Sequence, residues 1–174
     1  PGIGHRLDKD TSGLMVVALT DRAYTGLQQM IWDRAITRIY SALVHGTPDS
    51  PEGVIDAPIG RDIHARTKQA IDENGRPSRT HYKLQYEIGD FSFLEVQLET
   101  GRMHQIRVHL NAIGNAVAGD QTYGKRSSST LKGLNRQFLH ASKLEFAHPV
   151  TGESLSISSD LPDDLKRALE MLSS

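Results

Sequence analysis

The stretch 83-KLQYEIGDFSFLEVQL-98 carries the clearest secondary-structure signal in the chain. Apolar and polar residues alternate over 83–88 and again over 93–98, and Gly89-Asp90 stands between the two runs as a turn. Successive side chains of a strand point to opposite faces, so the pattern predicts a hairpin with one apolar and one polar face. Such a hairpin is typical of an antiparallel sheet that is covered on one side.

The flanking segments predict further short strands and a few helices. The apolar run 14-LMVVAL-19 predicts a buried strand, and residues 124–135, rich in Lys, Ser and Gly, predict an exposed loop. Other strands are predicted at 39–46, 54–59, 67–71, 138–146 and 154–158, and helices at 21–33, at 103–114 and from Pro162 onward. This order predicts the α+β class, with a mostly antiparallel, mixed β-sheet and flanking helices.

Composition limits the classes of protein that the chain can represent. Its 174 residues suit one domain, with 37% hydrophobic and 24% charged residues as in ordinary globular proteins. It contains no cysteine, which excludes disulfides and cysteine-ligated zinc and fits a cytoplasmic protein. No apolar run approaches the roughly 20 residues that cross a bilayer, so we expect no membrane partner. The net charge of −1 means that contact with a nucleic acid requires a local basic patch.

The stretch 5-HRLDKDTSGL-14 is the first candidate site, because Asp8 and Asp10 stand two residues apart directly before an apolar run. A partly desolvated carboxylate needs a cationic partner to stay ionised. Two nearby carboxylates also suit an acid/base pair of the glycosidase kind. Taken alone, the residues favour a structural loop in which Asp10 or Thr11 hydrogen-bonds the backbone, and the catalytic alternative stays open.

The stretch 101-GRMHQIRVH-109 is the second candidate, with Arg102, His104, Arg107 and His109 at the start of a predicted helix. Arginines at a helix N-terminus suit the binding of phosphate or carboxylate, although surface arginines on an amphipathic helix give the same pattern. The two histidines are five residues apart rather than four, so we expect no metal site. Because the chain has no Walker loop, G-x-G-x-x-G or G-x-S-x-G motif, we expect no nucleotide cofactor and no hydrolase chemistry of that type.

Together, these and other segments resemble the RluA/RluD-type pseudouridine synthases. The family's signature loop, H-R-L-D-x-x-T-S-G-L, stands complete at 5–14. The resemblance continues, in the family's order and spacing, through 38-RIYSALVHG-46, 55-IDAPIGR-61, 74-NGRPSRTHY-82, 99-ETGRMHQIRVHL-110, 119-GDQTYG-124 and 137-QFLHASKLEFAHP-149. It implies the pseudouridine synthase catalytic fold and the isomerisation of uridine in structured RNA without metal or cofactor. The combination of motifs favours 23S ribosomal RNA as the substrate, with transfer RNA as the second choice.

The resemblance also implies a catalytic set. Asp8 matches the catalytic aspartate, whereas Asp10 falls at a position that is not the nucleophile. Arg107 matches the arginine that pairs with the catalytic carboxylate. Tyr40 matches the tyrosine that packs on the target base and is a candidate for proton transfer.

Four further residues are implied to contact the substrate. Arg6 matches an arginine that fills the space left by the flipped-out uridine, and Leu139 matches an apolar wall of the base pocket. Arg102 and His104, in the same motif as Arg107, are candidates for substrate binding.

The chain departs from the family pattern at a few places. Met103 stands where Thr or Ser is usual, Asn115-Ala116 replace His-Pro, and Arg38 replaces Lys. The family's upstream strands, with their Lys-Pro-Ala/Gly segment, and the S4 RNA-binding domain of many members are absent from the sequence. We therefore expect residues 1–174 to be a single catalytic domain of a longer enzyme that is cytoplasmic, monomeric, and binds RNA but not DNA. The alternatives are a non-catalytic RNA-binding domain, an inactive fragment, or a glycoside-cleaving enzyme that uses both aspartates of the loop.

Overall fold

The computed structural model describes residues 2–3, 5–124, 131 and 133–174, so most of the predicted loop at 124–135 lies outside the described residues. The helices are α1 (Asp21–Trp32), α2 (Gln105–Ala112) and α3 (Asp163–Leu172). The strands are β1 (Gly2–Ile3), β2 (Ser12–Gly13), β3 (Val17–Ala18), β4 (Thr37–His45), β5 (Glu52–Asp56), β6 (Ile59–Arg61), β7 (Gln69–Ile71), β8 (Arg79–Ile88), β9 (Phe91–Leu98), β10 (Leu139–Ala147) and β11 (Ser154–Ser158).

One large sheet organises the domain. Its strands follow the order β11-β10-β4-β9-β8-β5, and all of these neighbours are antiparallel. The short strand β2 adds a parallel pairing to β10, which makes the sheet seven-stranded and mixed. Two small antiparallel pairs, β1 with β3 and β6 with β7, lie outside it. The predicted α+β class with a mostly antiparallel, mixed sheet is confirmed.

The hairpin of β8 and β9 forms as its alternation predicts. In β9, Leu94 and Val96 are fully buried, whereas Glu95 and Gln97 between and beside them are exposed. In β8 the register shifts between Leu84 and Tyr86, and the tyrosine side chain is half exposed. A bulge places an extra residue on one strand, so the alternation of β8 holds only up to that point.

The prediction of one buried strand at 14–19 is wrong. Within this run only Val17–Ala18 form a strand, paired with β1, and Val17 and Leu19 are exposed. The chain meets the large sheet earlier, at β2, and the Leu14 amide donates to the carbonyl of Ala141. Because that pairing ends at Leu14, the apolar run leaves the sheet and its side chains are not covered on both sides.

Helices cover both faces of the sheet. On one face, Tyr40 and Val44 of β4 pack with Ile106 and Leu110 of α2. On the other face, the alternate β4 residue Leu43 belongs to the cluster that contains residues of α3, and α1 packs near the far end of β10. The helix predicted at 103–114 is shorter than expected, since α2 begins at Gln105, and residues 105–110 are all buried.

Candidate active site

The loop that contains Asp8 is held by residues from the other end of the chain. The Gln137 side chain donates to the carbonyl of Lys9 at 2.7 Å and to the hydroxyl of Thr11 at 3.1 Å. The Arg136 guanidinium donates to the carbonyl of Asp10 at 2.9 Å. These bonds join residues more than 120 positions apart in the sequence. The segment just before β10, and not the run at 14–19, therefore positions the loop.

The backbone of the loop has two unusual conformations. Gly13 has a φ of 114°, and a Cβ atom built there would lie 2.2 Å from the carbonyl oxygen of Ala141. Only glycine fits this contact between β2 and β10. Asp10 has a φ of 69° and an exposed side chain, and the Thr11 amide donates to the Asp8 carbonyl across the turn. Asp10 thus lies in the turn, and the predicted structural role of its side chain stays a prediction.

A buried arginine links Asp8 to a second carboxylate. Nη1 of Arg107 donates to Oδ2 of Asp8 at 3.3 Å. The same guanidinium forms two bonds to Asp120, from Nε at 2.6 Å and from Nη2 at 3.0 Å. The Arg107 side chain is only 5% exposed, which excludes a surface arginine on an amphipathic helix. Burial opposes its charge, but the two carboxylates outweigh burial and raise the pKa of Arg107.

Asp120 is a site residue that the sequence interpretation did not single out. Its side chain is fully buried, and Oδ1 also accepts the backbone N–H groups of Thr122 and Tyr123. Burial alone would raise the pKa of Asp120, but the hydrogen bond from Arg107 and these amides lower it. An aspartate just before a tight turn is a recognisable signal for such amide contacts. Its pairing with an arginine 13 residues earlier has no local sequence signal.

Tyr123 contacts the Arg107 guanidinium, and His104 contacts Tyr123. The Tyr123 ring lies 5.1 Å from the Arg107 guanidinium carbon, a cation–π contact. The Tyr123 hydroxyl accepts the Gln69 amide at 2.8 Å and forms a second hydrogen bond, 2.6 Å long, with Nδ1 of His104. Burial lowers the pKa of His104, which favours the neutral ring. His104 does not line the cavity described below, and its substrate contact stays a prediction.

A cavity of about 670 Å³ opens beside Asp8. Of the predicted site residues, its walls include Arg6, Asp8, Tyr40, Arg102 and Leu139. Its volume is in the range of small-molecule sites and suits a nucleotide. Asp10 does not line it, so the two loop aspartates do not share a cleft as the glycosidase alternative requires.

The walls of the cavity differ in character. Tyr40 and Leu139 stand on the paired strands β4 and β10 and are almost fully buried, so they form the apolar floor. Burial raises the pKa of the Tyr40 hydroxyl, which keeps it protonated at neutral pH. Arg6 is exposed, and Arg102 is partly buried with its Nε bonded to the Pro77 carbonyl. The cavity therefore has an apolar floor, two carboxylates, Asp8 and Glu99, and a basic rim.

Neither a metal cluster nor a spanning helix is found in the described part of the chain. No group of three or more His, Asp or Glu residues there is arranged to hold a metal ion. None of the described helices is long and apolar enough to cross a membrane.

Comparison with known proteins identifies relatives along the chain. The family model described as RNA pseudouridylate synthase matches residues 1–112. A protein of Chloroflexus aurantiacus named "Uncharacterized RNA pseudouridine synthase" is 51% identical over 173 residues, which are 99% of this chain and 54% of the relative. A protein of Nitrosomonas europaea named "Ribosomal large subunit pseudouridine synthase D" is 46% identical over a gapped alignment of 176 positions, which covers 98% of this chain and 51% of the relative.

Two solved human structures share the fold. "RNA Pseudouridylate Synthase Domain Containing 1" aligns with a TM-score of 0.80 and 32% identity over 92% of this chain and 69% of that chain. "RNA Pseudouridylate Synthase Domain Containing 4" aligns with a TM-score of 0.81 and 27% identity over 99% of this chain and 76% of that chain. The chain spans about half the length of the curated relatives it matches. On the family match and these relatives, the chain belongs to the RNA pseudouridylate synthases, of the RluA/RluD type.

Proposed function

We propose that the protein isomerises uridine to pseudouridine in structured RNA, with Asp8 as the reactive carboxylate. The observation that carries the proposal is the position of Asp8 on the wall of a nucleotide-sized cavity, paired with an arginine whose charge is buried. The relatives named ribosomal large subunit pseudouridine synthase D favour 23S ribosomal RNA as the substrate. Transfer RNA is the second candidate.

The proposed reaction needs no external electrons. The bond between N1 of uracil and C1′ of ribose breaks, a bond from C5 to C1′ forms, C5 loses a proton, and N1 gains one. Asp8 starts this sequence as nucleophile or base. The base must first leave the RNA stack, which costs a few kcal/mol. The exposed Arg6 side chain offsets part of this cost by filling the space that the base leaves.

The two carboxylates that contact Arg107 are bonded to it in different ways, which suits them to different roles. Asp120 holds the guanidinium with two short bonds, so the cation is fixed whether or not Asp8 is engaged. Asp8 receives a single, longer bond at 3.3 Å and is partly exposed to the cavity. A fixed charge in a water-poor site stabilises developing charge without reorganising at the moment of reaction. Asp8 is thus oriented by Arg107 and still able to meet the substrate.

Tyr40 and Leu139 provide the floor on which the uracil turns. Both are buried, and the ring of Tyr40 offers a flat surface for stacking on a base. Because the Tyr40 hydroxyl is protonated at neutral pH, we assign it to a proton relay at C5 rather than to a free phenolate.

The rim of the cavity suits RNA. Trp32 is 85% exposed and lines the cavity near Arg34 and Arg102. Burial and the nearby charges of Arg76 and Arg34 lower the pKa of Arg102, so several cations lie close together there. An exposed aromatic ring beside clustered arginines is the combination that binds unpaired nucleotides. This patch supplies the local positive charge that a chain with a net charge of −1 needs.

The test is tritium release from ribosomal RNA labelled at C5 of uridine, with the full-length protein. We expect release by the wild type, its loss in Asp8→Asn, and its retention in the matched control Asp10→Asn. Asparagine tolerates the positive φ of position 10, so the control keeps the loop intact.

Two results would count against the proposal. Equal release by Asp8→Asn and wild type would remove Asp8 from the reaction. If the wild type released no tritium from ribosomal or transfer RNA but still bound them, the non-catalytic RNA-binding alternative would replace the enzyme.

A further inference from the structure

Arg38 is a buried cation that the proposed reaction has not used. It lies on β4 two residues before Tyr40 and on the same face, lines the cavity, and is only 8% exposed. Its Nε is buried without a hydrogen-bond partner, and no carboxylate among the described residues pairs with it. Burial of an unpaired charge is unfavourable, and it lowers the pKa of Arg38. Arg107, which is equally buried, is bonded to two carboxylates.

His5 is a second buried donor on the same cavity wall. Its Nε2 accepts the Val16 amide at 3.0 Å, so the hydrogen of the neutral ring is on Nδ1. That Nδ1 is buried and has no partner in the described part of the chain. Burial and the nearby charge of Arg38 lower the pKa of His5, in agreement with the neutral ring. His5 and Arg38 therefore both line the wall, and the two donors without an acceptor, Nδ1 and Nε, lie just beneath its surface.

The surrounding residues keep this pair of donors free. A Cβ atom at Gly101 would lie 2.7 Å from Nη1 of Arg38, so the glycine leaves room for the guanidinium at the wall. Glu99, which also lines the cavity, is already bonded to Arg34, Arg79 and His81. Buried donors without acceptors are rare in folded proteins. Because both side chains line a cavity, a small movement of each would let a ligand supply the acceptor.

We propose that Arg38 and His5 bind the phosphate group attached to the target uridine. The inference rests on the proposed function and adds a phosphate subsite to it. Phosphate is the anion that RNA carries at every nucleotide, and its oxygens can accept from both donors and balance the guanidinium charge. A uracil carbonyl is neutral and leaves that charge unbalanced.

The position of the subsite also fits a flipped nucleotide. His5 precedes Asp8 by three residues, and Arg38 precedes Tyr40 by two. The loop and β4 would then each give one residue to the phosphate and one to the nucleoside. Arg38 and His5 are binding residues in this scheme. The charge of Arg38 opposes the rise that burial causes in the pKa of Tyr40, so an activity assay alone cannot isolate the role of Arg38. Ligand binding is therefore the better measure.

The experiment compares the affinity of the full-length protein for uridine, uridine 5′-monophosphate and uridine 3′-monophosphate by NMR titration. In the wild type we expect one of the two nucleotides to bind roughly 10–100-fold more tightly than uridine, as for a hydrogen-bonded charge pair. Arg38→Met, which keeps the apolar stem, should lose this advantage while uridine affinity stays unchanged. Arg38→Lys should recover part of it. Arg167→Ala removes an exposed arginine of α3 that does not line the cavity and should leave the ratio unchanged.

Several outcomes would overturn the subsite. These are equal affinity for uridine and both nucleotides in the wild type, an equal loss for all three ligands in Arg38→Met, or no binding of any of them at millimolar concentration. The tritium assay separates this inference from the proposed function. If the protein releases tritium but shows no preference for the nucleotides over uridine, the phosphate subsite is wrong and the proposed reaction stands. If it prefers a nucleotide but releases no tritium, the proposed reaction is wrong and the subsite stands.

Discussion

Replacement of Asp120 by asparagine tests whether the buried ion pair with Arg107 holds the site together. In the native protein, Oδ1 of Asp120 accepts Nη2 of Arg107 and the amides of Thr122 and Tyr123, whereas Oδ2 accepts only Nε of Arg107. The asparagine oxygen can keep the first three bonds if it takes the Oδ1 position. Its NH₂ group then faces the Nε–H group where the atoms are 2.6 Å apart, so two donors oppose each other.

The expected loss of stability follows from this geometry. The variant loses a hydrogen bond to a charged group and the main countercharge of a guanidinium that is 5% exposed. Asp8, at 3.3 Å, is then the remaining carboxylate contact of the guanidinium among the described residues. Removal of one partner of a buried pair typically costs about 3–5 kcal/mol. Because domains are stable by about 5–15 kcal/mol in total, this is a large share of the free energy of unfolding.

Urea unfolding followed by circular dichroism measures the effect. Glu145→Gln is the matched control, since it makes the same carboxylate-to-amide change in an ion pair with Lys143 at a similar 2.6 Å distance but at an exposed position. We expect no change in the unfolding midpoint for the control and a large decrease for Asp120→Asn. The reasoning fails if both variants unfold at the wild-type midpoint.

Three other changes have defined outcomes. Gly13→Ala should destabilise the domain by more than about 3 kcal/mol, because its Cβ meets the β10 backbone, while Gly152→Ala, with positive φ but open space, should cost about 1–2 kcal/mol in the same urea assay. His109 is fully buried and burial lowers its pKa, so stability should fall as the pH drops below 6.5, where the unfolded chain takes up a proton that the folded ring resists. Burial lowers the pKa of His5, His104 and His140 in the same direction, so His109→Gln should reduce that slope without removing it, and an unchanged slope would contradict the assignment. Tyr40→Phe should bind RNA normally and slow tritium release by roughly 100-fold or more, and a loss below tenfold would argue against a proton relay.

The parts of the fold that were predictable from sequence are those set by local patterns. The alternation in 93–98 fixes which side chains of β9 are buried, and Thr20-Asp21 marks the start of α1. The run at 14–19 misleads because apolar content does not reveal which strand a segment pairs with. The pairing that decides its position, β2 with β10, joins residues 128 positions apart. Such contacts leave no periodic signal in either segment.

The residues of the candidate site also differ in whether the sequence could predict them. The resemblance assigned Asp8 and Arg107 to one site, and the structure brings their side chains into contact across 99 residues of sequence. The roles of the site residues stay predictions until they are tested. Asp120 and Arg38 were not assigned, because their importance depends on burial and on the presence or absence of a partner. Neither property can be inferred from residue type, since aspartate and arginine are most often exposed.

The anchoring of the Asp8 loop by residues 136–141 has a consequence for the order in which the domain acquires its site. During synthesis, the loop emerges first and its hydrogen-bonding partners emerge only after more than 120 further residues. Closure of so long a segment is entropically slow compared with local pairing, such as the hairpin of β8 and β9. The carboxylate can therefore take its final position only once β10 has joined the sheet. A chain interrupted before residue 136 would contain every residue of the signature loop and yet lack the hydrogen bonds from Arg136 and Gln137 that anchor its backbone.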